Sequence, residues 1–148
     1  MTLTNAYTIE IKNRLSELTH VTDRLMTICE EQNMNAGTSF HLQLACDELI
    51  TNTISYGYED EDERTIRISV TFSGEEVALV IEDDGRPFDP FGSRGTPDLT
   101  LDVEEREIGG LGIHLVTRIM EQVAYERAGR YNITRLTTKR NKNSEGTP

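Results

Sequence analysis

Thr65-Ile66-Arg67-Ile68-Ser69-Val70-Thr71-Phe72, then Ser73-Gly74-Glu75, then Val77-Ala78-Leu79-Val80-Ile81 is the stretch that decides the fold. In its first run Ile66, Ile68, Val70 and Phe72 alternate with Thr65, Arg67, Ser69 and Thr71. A period of two sends the apolar set to one face of a strand and the polar set to the other. Ser73-Gly74-Glu75 is turn chemistry and the run from Val77 to Ile81 is rich in β-branched residues, so the segment is predicted to be a β-hairpin with one buried face.

Upstream, Glu59-Asp60-Glu61-Asp62-Glu63 is an acidic run that reads as a solvated loop. Before it, Leu42, Ala45, Cys46, Leu49 and Thr53 form the stripe of a helix that Thr38 or Ser39 could cap, that reaches about Tyr56, and that Gly57 ends. Asn33 to Thr38 reads as a loop. Leu15, Leu18, Val21, Leu25 and Ile28 recur at three- and four-residue spacing and predict an amphipathic helix from Arg14 to about Glu31. Tyr7, Ile9 and Ile11 alternate with polar neighbours and predict a strand from Tyr7 to Asn13.

Downstream, residues 83–109 carry Gly85, Pro87, Pro90, Gly92, Gly95, Pro97 and Gly109 with no helix or strand period. A loop of that length in a compact domain is usually functional. A third helix is predicted from Gly110 to Met120. A second hairpin runs over Val123–Arg127 and Tyr131–Thr138 around Ala128-Gly129-Arg130. These elements predict an α/β (α+β) fold: a two-layer sandwich with a mixed, mainly antiparallel sheet of about five strands and three helices on one face. The expected organisation is one domain over residues 1–138 and a polar, frayed tail over residues 139–148.

The chain has 148 residues, of which 28% are charged and 36% apolar, enough for a single core. Its formal net charge of −11 argues against nonspecific nucleic-acid binding, which needs Lys and Arg to neutralise phosphates. It also means that a nucleotide site must act through local geometry, glycine N–H groups and a divalent cation. No apolar run reaches the roughly 20 residues that span a bilayer. No secretory signal is recognisable at the N-terminus. Cys29 and Cys46 sit in apolar helical patterns and read as buried, reduced thiols of a cytoplasmic chain.

Three segments carry chemistry. Glu48 and Asn52 lie four apart on the second helix and so are neighbours on its surface. An amide oxygen suits Mg²⁺ that keeps waters and phosphate oxygens, and a carboxylate one turn away suits a general base. The same spacing describes an ordinary polar pair. Asp83-Asp84-Gly85-Arg86-Pro87 follows the apolar strand, where an acid could accept from an adenine amino group and Gly85 would let a flat ring approach. A plain Asp-Gly turn fits equally. Gly109-Gly110-Leu111-Gly112 opens the third helix, where unpaired N–H groups and the helix dipole favour an anion. Three glycines there are costly for a helix, which favours a functional reason. His20, His41 and His114 lack metal-ligand spacing, and Arg94 and Arg106 in the long loop could reach a phosphate or a partner.

Together these segments make the chain resemble the GHKL ATPase superfamily, and within it the small bacterial anti-sigma-factor serine/threonine kinases. The resemblance runs from about Ile9 to Thr138. It rests on the helix phrase from Leu42 to Tyr58, on Asp83-Asp84-Gly85-Arg86-Pro87-Phe88-Asp89-Pro90, and on Gly109-Gly110-Leu111-Gly112-Ile113-His114-Leu115-Val116. It implies a Bergerat-type ATP site in which Asn52 binds Mg²⁺ and phosphates, Glu48 is the catalytic base, Asp83 receives the adenine amino group, and Gly85 and Pro87 lie beside it. Gly109, Gly110 and Gly112 would cradle phosphates, with a lid from about Phe91 to Ile108. The implied partners are a STAS-type anti-sigma-factor antagonist as phosphoacceptor, a sigma factor that is sequestered, and a second copy of the chain. Pro87 stands where the wider superfamily has glycine, Ser55 stands where the branch often has histidine, and the lid is acidic. The alternative is an ATP-binding regulatory module that captures a protein partner without phosphoryl transfer.

Overall fold

The computed structural model describes residues 4–92 and 110–141. Its elements are β1 (Thr4–Lys12), a short 3₁₀ turn (Leu15–Glu17), α1 (Leu18–Glu31), α2 (Ala36–Tyr56), β2 (Thr65–Ser73), β3 (Glu76–Asp83), α3 (Gly110–Ile119), β4 (Gln122–Ala128) and β5 (Tyr131–Lys139). The predicted hairpin pairs Ile68 with Ile81 and Phe72 with Val77. Its two-residue turn holds Gly74 at φ 62°, and the β4–β5 turn holds Gly129 at φ 61°. Left-handed backbone at the first turn position suits glycine and matches the twist of the strands.

The five strands lie in the order β1-β2-β3-β5-β4, and every pairing is antiparallel. The sheet is therefore not mixed. β3 and β4 do run in the same direction, but β5 inserts between them and pairs antiparallel with both. That insertion brings residue 132 opposite residue 83.

One face of the sheet meets the helices. Ile68, Val70, Phe72 and Leu79 are fully buried with Leu25 and Ile28 of α1, Ile50 of α2 and Val116 of α3 in a single core. Arg67 and Arg135, one residue out of phase with that set, are exposed. Burying a side chain of this kind contributes about 1.5–3 kcal/mol, so the period-two pattern dominates the energetics of the sheet. Burial, aided by Asp47, pushes the Cys46 thiol up to about 12, in keeping with an inert packing residue.

Several boundaries differ from the sequence reading, and β1 begins at Thr4 rather than Tyr7. The first helix opens as a 3₁₀ turn from Leu15. The second is capped by Asn35, whose Oδ1 accepts from Thr38 N–H at 2.9 Å, rather than by Thr38 or Ser39. The fold also continues past Thr138. Lys139 lies in β5, and Arg140 donates to Gln32 O and Oε1 and stands 5.1 Å over the Phe72 ring. Asn141 Oδ1 accepts from Asn35 N–H at 2.8 Å. Among the described residues no helix is long and apolar enough to cross a membrane.

Candidate functional site

Gly57 ends α2 and starts the site. A β-carbon on it would sit 2.6 Å from Thr53 O, so glycine is required by close packing. Its own carbonyl accepts from Arg86 N–H at 2.8 Å, which ties the end of α2 to the turn after β3. Gly85 lies on that same carbonyl, and a β-carbon there would overlap it. Gly85 is thus needed for close approach of two backbones, and its N–H donates to Asp83 Oδ1 at 2.8 Å.

Between these segments opens a cleft lined by Leu49, Asn52, Thr53, Gly57, Ile81, Asp83, Phe88, Pro90, Asn132 and Thr134. Asn52 and Asp83, far apart in sequence, therefore face one space. Both are nearly sealed from bulk solvent, at 6% and 5% exposure. Asn52 Nδ2 has no hydrogen-bond partner among the described residues. A buried amide donor without a partner costs about 1–3 kcal/mol, a cost that an acceptor entering the cleft would relieve.

Asp83 is set differently. Its Oδ1 accepts from Gly85 N–H and, at 3.0 Å, from Asn132 Nδ2. Burial holds its carboxyl above the usual range, opposed by the two hydrogen bonds. A buried carboxylate at a narrow cleft is a strong acceptor for an amino group of a ligand.

Glu48 is not part of the cleft lining. It stands one turn before Asn52 on α2, half-buried, with its carboxyl pushed up first by burial and then by Asp47. Gly112 of α3 lies directly against the Glu48 carboxylate, and a β-carbon there would overlap it. The first turn of α3 is thereby brought beside the Glu48–Asn52 face of α2. Gly110 is the first residue of α3. Gly109, Arg94 and Arg106 lie outside the described residues, as does the lid segment from residue 93 onward.

The family resemblance puts Pro87 beside Asp83. Pro87 is exposed and absent from the cleft lining, which has Phe88 and Pro90 instead. The hydrogen bonds of the turn explain this. Arg86 N–H is held by Gly57 O, Arg86 O accepts from Asn132 Nδ2 at 2.9 Å, and Phe88 N–H reaches Asn132 Oδ1 at 3.3 Å. With residues 86 and 88 anchored inward, residue 87 points out. Asn132 and Thr134 were missed by the sequence reading. Their signal was present: both are polar residues on the core-facing phase of the last strand.

Among the described residues no three His, Cys, Asp or Glu cluster as a metal site. The donors present fit a cation held through a ligand's phosphates better than an all-protein cage. The Asn52 amide would offer Oδ1 to such a cation and its unpartnered Nδ2 to a phosphate oxygen.

Comparison with known proteins gives the same direction. Residues 11–138 match the family described as histidine kinase-like ATPase domain. The chain is 26% identical over 131 residues to the serine/threonine-protein kinase BtrW of Bordetella bronchiseptica, covering 88% of this chain and 92% of that protein. It is 28% identical over 85 residues to the serine-protein kinase RsbW of Listeria monocytogenes, covering 55% of this chain and 54% of that protein. It is 25% identical over 99 residues to the anti-sigma F factor of Clostridium novyi, covering 67% and 68%. In fold it is similar to the crystal structure of the RsbU and RsbW domains of Rv1364c from Mycobacterium tuberculosis, with TM-score 0.63 and 11% identity over 95% of this chain and 34% of that one. Its match thus spans about half the length of the Listeria relative. A family match over most of the length, on a fold that gathers an unpartnered amide and a buried acid around one cleft, establishes that the chain belongs to the histidine kinase-like ATPase domain family.

Proposed function

We propose that the chain is a Mg²⁺·ATP-dependent serine/threonine protein kinase that also acts as an anti-sigma factor. The observation that carries this reading is the shared cleft of Asn52 and Asp83, with an unpartnered amide donor on the first and a buried carboxylate on the second. Asp83 Oδ2 accepts from the adenine amino group. Gly85, close against the Gly57 carbonyl, holds the turn that carries Asp83 beside the ring. Asn52 holds the Mg²⁺ and a phosphate oxygen, and the N–H groups at Gly109, Gly110 and Gly112 receive the phosphates. Mg²⁺ supplies neutralisation of the charge that develops on the transferring phosphoryl group.

Glu48 takes the proton from a substrate seryl or threonyl hydroxyl. The hydroxyl oxygen bonds to the γ-phosphorus, the bond to the β,γ-bridging oxygen breaks, and ADP leaves. Burial suits Glu48 to this task, because a carboxyl held above its ordinary range is a stronger base. The phosphoacceptor is a STAS-type anti-sigma-factor antagonist, and the sequestered partner is a sigma factor bound by a homodimer. The names of the relatives support a serine- or threonine-directed kinase and a sigma-factor partner, and the acidic net charge of −11 suits a basic protein surface.

The test is calorimetric titration of Mg²⁺·ATP into the wild type and Asp83→Asn, followed by transfer from labelled ATP to a purified STAS-domain protein with Glu48→Gln as control. Binding lost in Asp83→Asn and transfer lost in Glu48→Gln are expected. No binding to either protein ends the reading. Binding with no transfer by the wild type replaces the kinase with a module that captures its partner.

A further inference from the structure

Asn132 is the most heavily bonded side chain of the described residues, and the proposed reaction gives it no role. It is 4% exposed and lies opposite Asp83 on β5. Its Nδ2 donates to Asp83 Oδ1 at 3.0 Å and to Arg86 O at 2.9 Å. Its Oδ1 accepts from Phe88 N–H at 3.3 Å, from Arg127 Nη1 at 3.2 Å, and from the Tyr125 hydroxyl. Both amide hydrogens are therefore used, and the oxygen serves three donors. The network permits one orientation of the amide, since the flipped form would face donors with donors and acceptors with acceptors.

The consequence falls on Asp83. Free rotation about its last torsion would present either oxygen to the cleft. Asn132 and the Gly85 N–H both bind Oδ1, so the carboxylate plane is pinned and neither bond occupies Oδ2 at the cleft that Asp83 lines. Arg127 adds a second brace, with Nη1 donating to Gly85 O at 2.8 Å. The β4–β5 hairpin thus holds the acid and the turn after it from one side, while Gly57 O holds Arg86 from the other.

We propose that Asn132, itself held by Tyr125 and Arg127, is a positioning residue that sets purine specificity by aiming Asp83 Oδ2 at the amino group of the base. This rests on the ATP reading above and deepens it. A carboxylate that is merely buried would favour any donor nearby, whereas a pinned one discriminates by the presence of a single amino group. A lost hydrogen bond between a charged group and its partner is worth about tenfold or more in affinity.

The experiment compares binding of Mg²⁺·ATP with that of Mg²⁺·purine riboside triphosphate, which lacks the amino group, by calorimetry. The proteins are the wild type, Asn132→Asp, Asn132→Ser and Tyr125→Phe. The wild type is expected to prefer ATP by about tenfold. Asn132→Asp should lose most of that preference, read as the ratio of the two affinities within the variant. Asn132→Ser, which keeps one hydroxyl donor, should be intermediate. A merely structural role would weaken both nucleotides together and leave their ratio unchanged, and that outcome overturns the proposal. Should neither Asn132 variant fold, Tyr125→Phe decides: a reduced ratio supports the proposal and an unchanged ratio overturns it. A wild type that binds neither nucleotide sinks the ATP reading itself, whereas a wild type that binds both equally sinks only the positioning role.

Discussion

Gly112, in the first turn of α3, lies so close to the carboxylate of Glu48 on α2 that a β-carbon there would overlap its Oε2 and Cδ. Two segments more than sixty residues apart thereby share one point of contact. The obstructing atoms are the far end of a flexible side chain, so a larger residue at 112 would displace Glu48 before it disturbed the helices.

Gly112→Ala is therefore expected to separate folding from activity. Alanine favours a helix over glycine by ~1 kcal/mol, so the melting temperature should hold or rise. Phosphoryl transfer should fall on the order of a hundredfold, because the base is misplaced by about the size of a methyl group. Thermal melts and labelled-ATP transfer measured on the same preparation check this. Equal losses in both would contradict it.

The pH dependence of transfer should report Glu48. Its carboxyl is held above the ordinary value first by burial and next by Asp47. A general base acts when deprotonated, so the rate should fall as pH drops through that raised value. Asp47 is exposed, and Asp47→Asn removes the second cause without touching the core. The acidic limb of kcat should then move to lower pH. A limb that stays in place would mean that another group controls it.

Asp83→Asn should stabilise the fold while abolishing nucleotide binding. The carboxyl of Asp83 is raised by burial, so the folded chain keeps its proton to higher pH than the unfolded chain. Stability from this group is full below the unfolded value and is lost as pH rises through the folded value, which leaves a cost at neutral pH. The amide removes that cost. Denaturant titrations should show the variant above the wild type at pH 7.5, with the gap closing toward pH 4.

Arg140→Ala tests where the domain ends. Arg140 bonds the end of α1 through Gln32 and covers the buried Phe72 ring. Its removal should cost about 1–2 kcal/mol, read as a lower urea midpoint with unchanged slope. No change would place Arg140 with the tail.

Much of the architecture was legible because burial is periodic and local. Ile66, Ile68, Val70 and Phe72 announce their face by spacing, and Gly74 and Gly129 announce turns by the backbone that glycine alone adopts easily. The cap of α2 was less legible. Asn35, Thr38 and Ser39 are all capable residues, and which one bonds a free N–H depends on where the chain leaves the preceding helix. The three motifs were readable as chemistry, since an acid, an amide and a glycine run each have a known use.

Their meeting was readable only through the family resemblance, not from the spacing of any one segment. Asp83 and Asn132 are opposite each other because β5 slips between β3 and β4, and nothing in the spacing of either strand specifies that order. Pro87 points out and Phe88 points in because Asn132 and Gly57 anchor the residues around it. The amino-acid pattern by itself determined which faces are buried, since that follows from side-chain periodicity and the hydrophobic effect. The tertiary structure alone decided which polar groups share a cleft, since strand order and register are set by long-range packing.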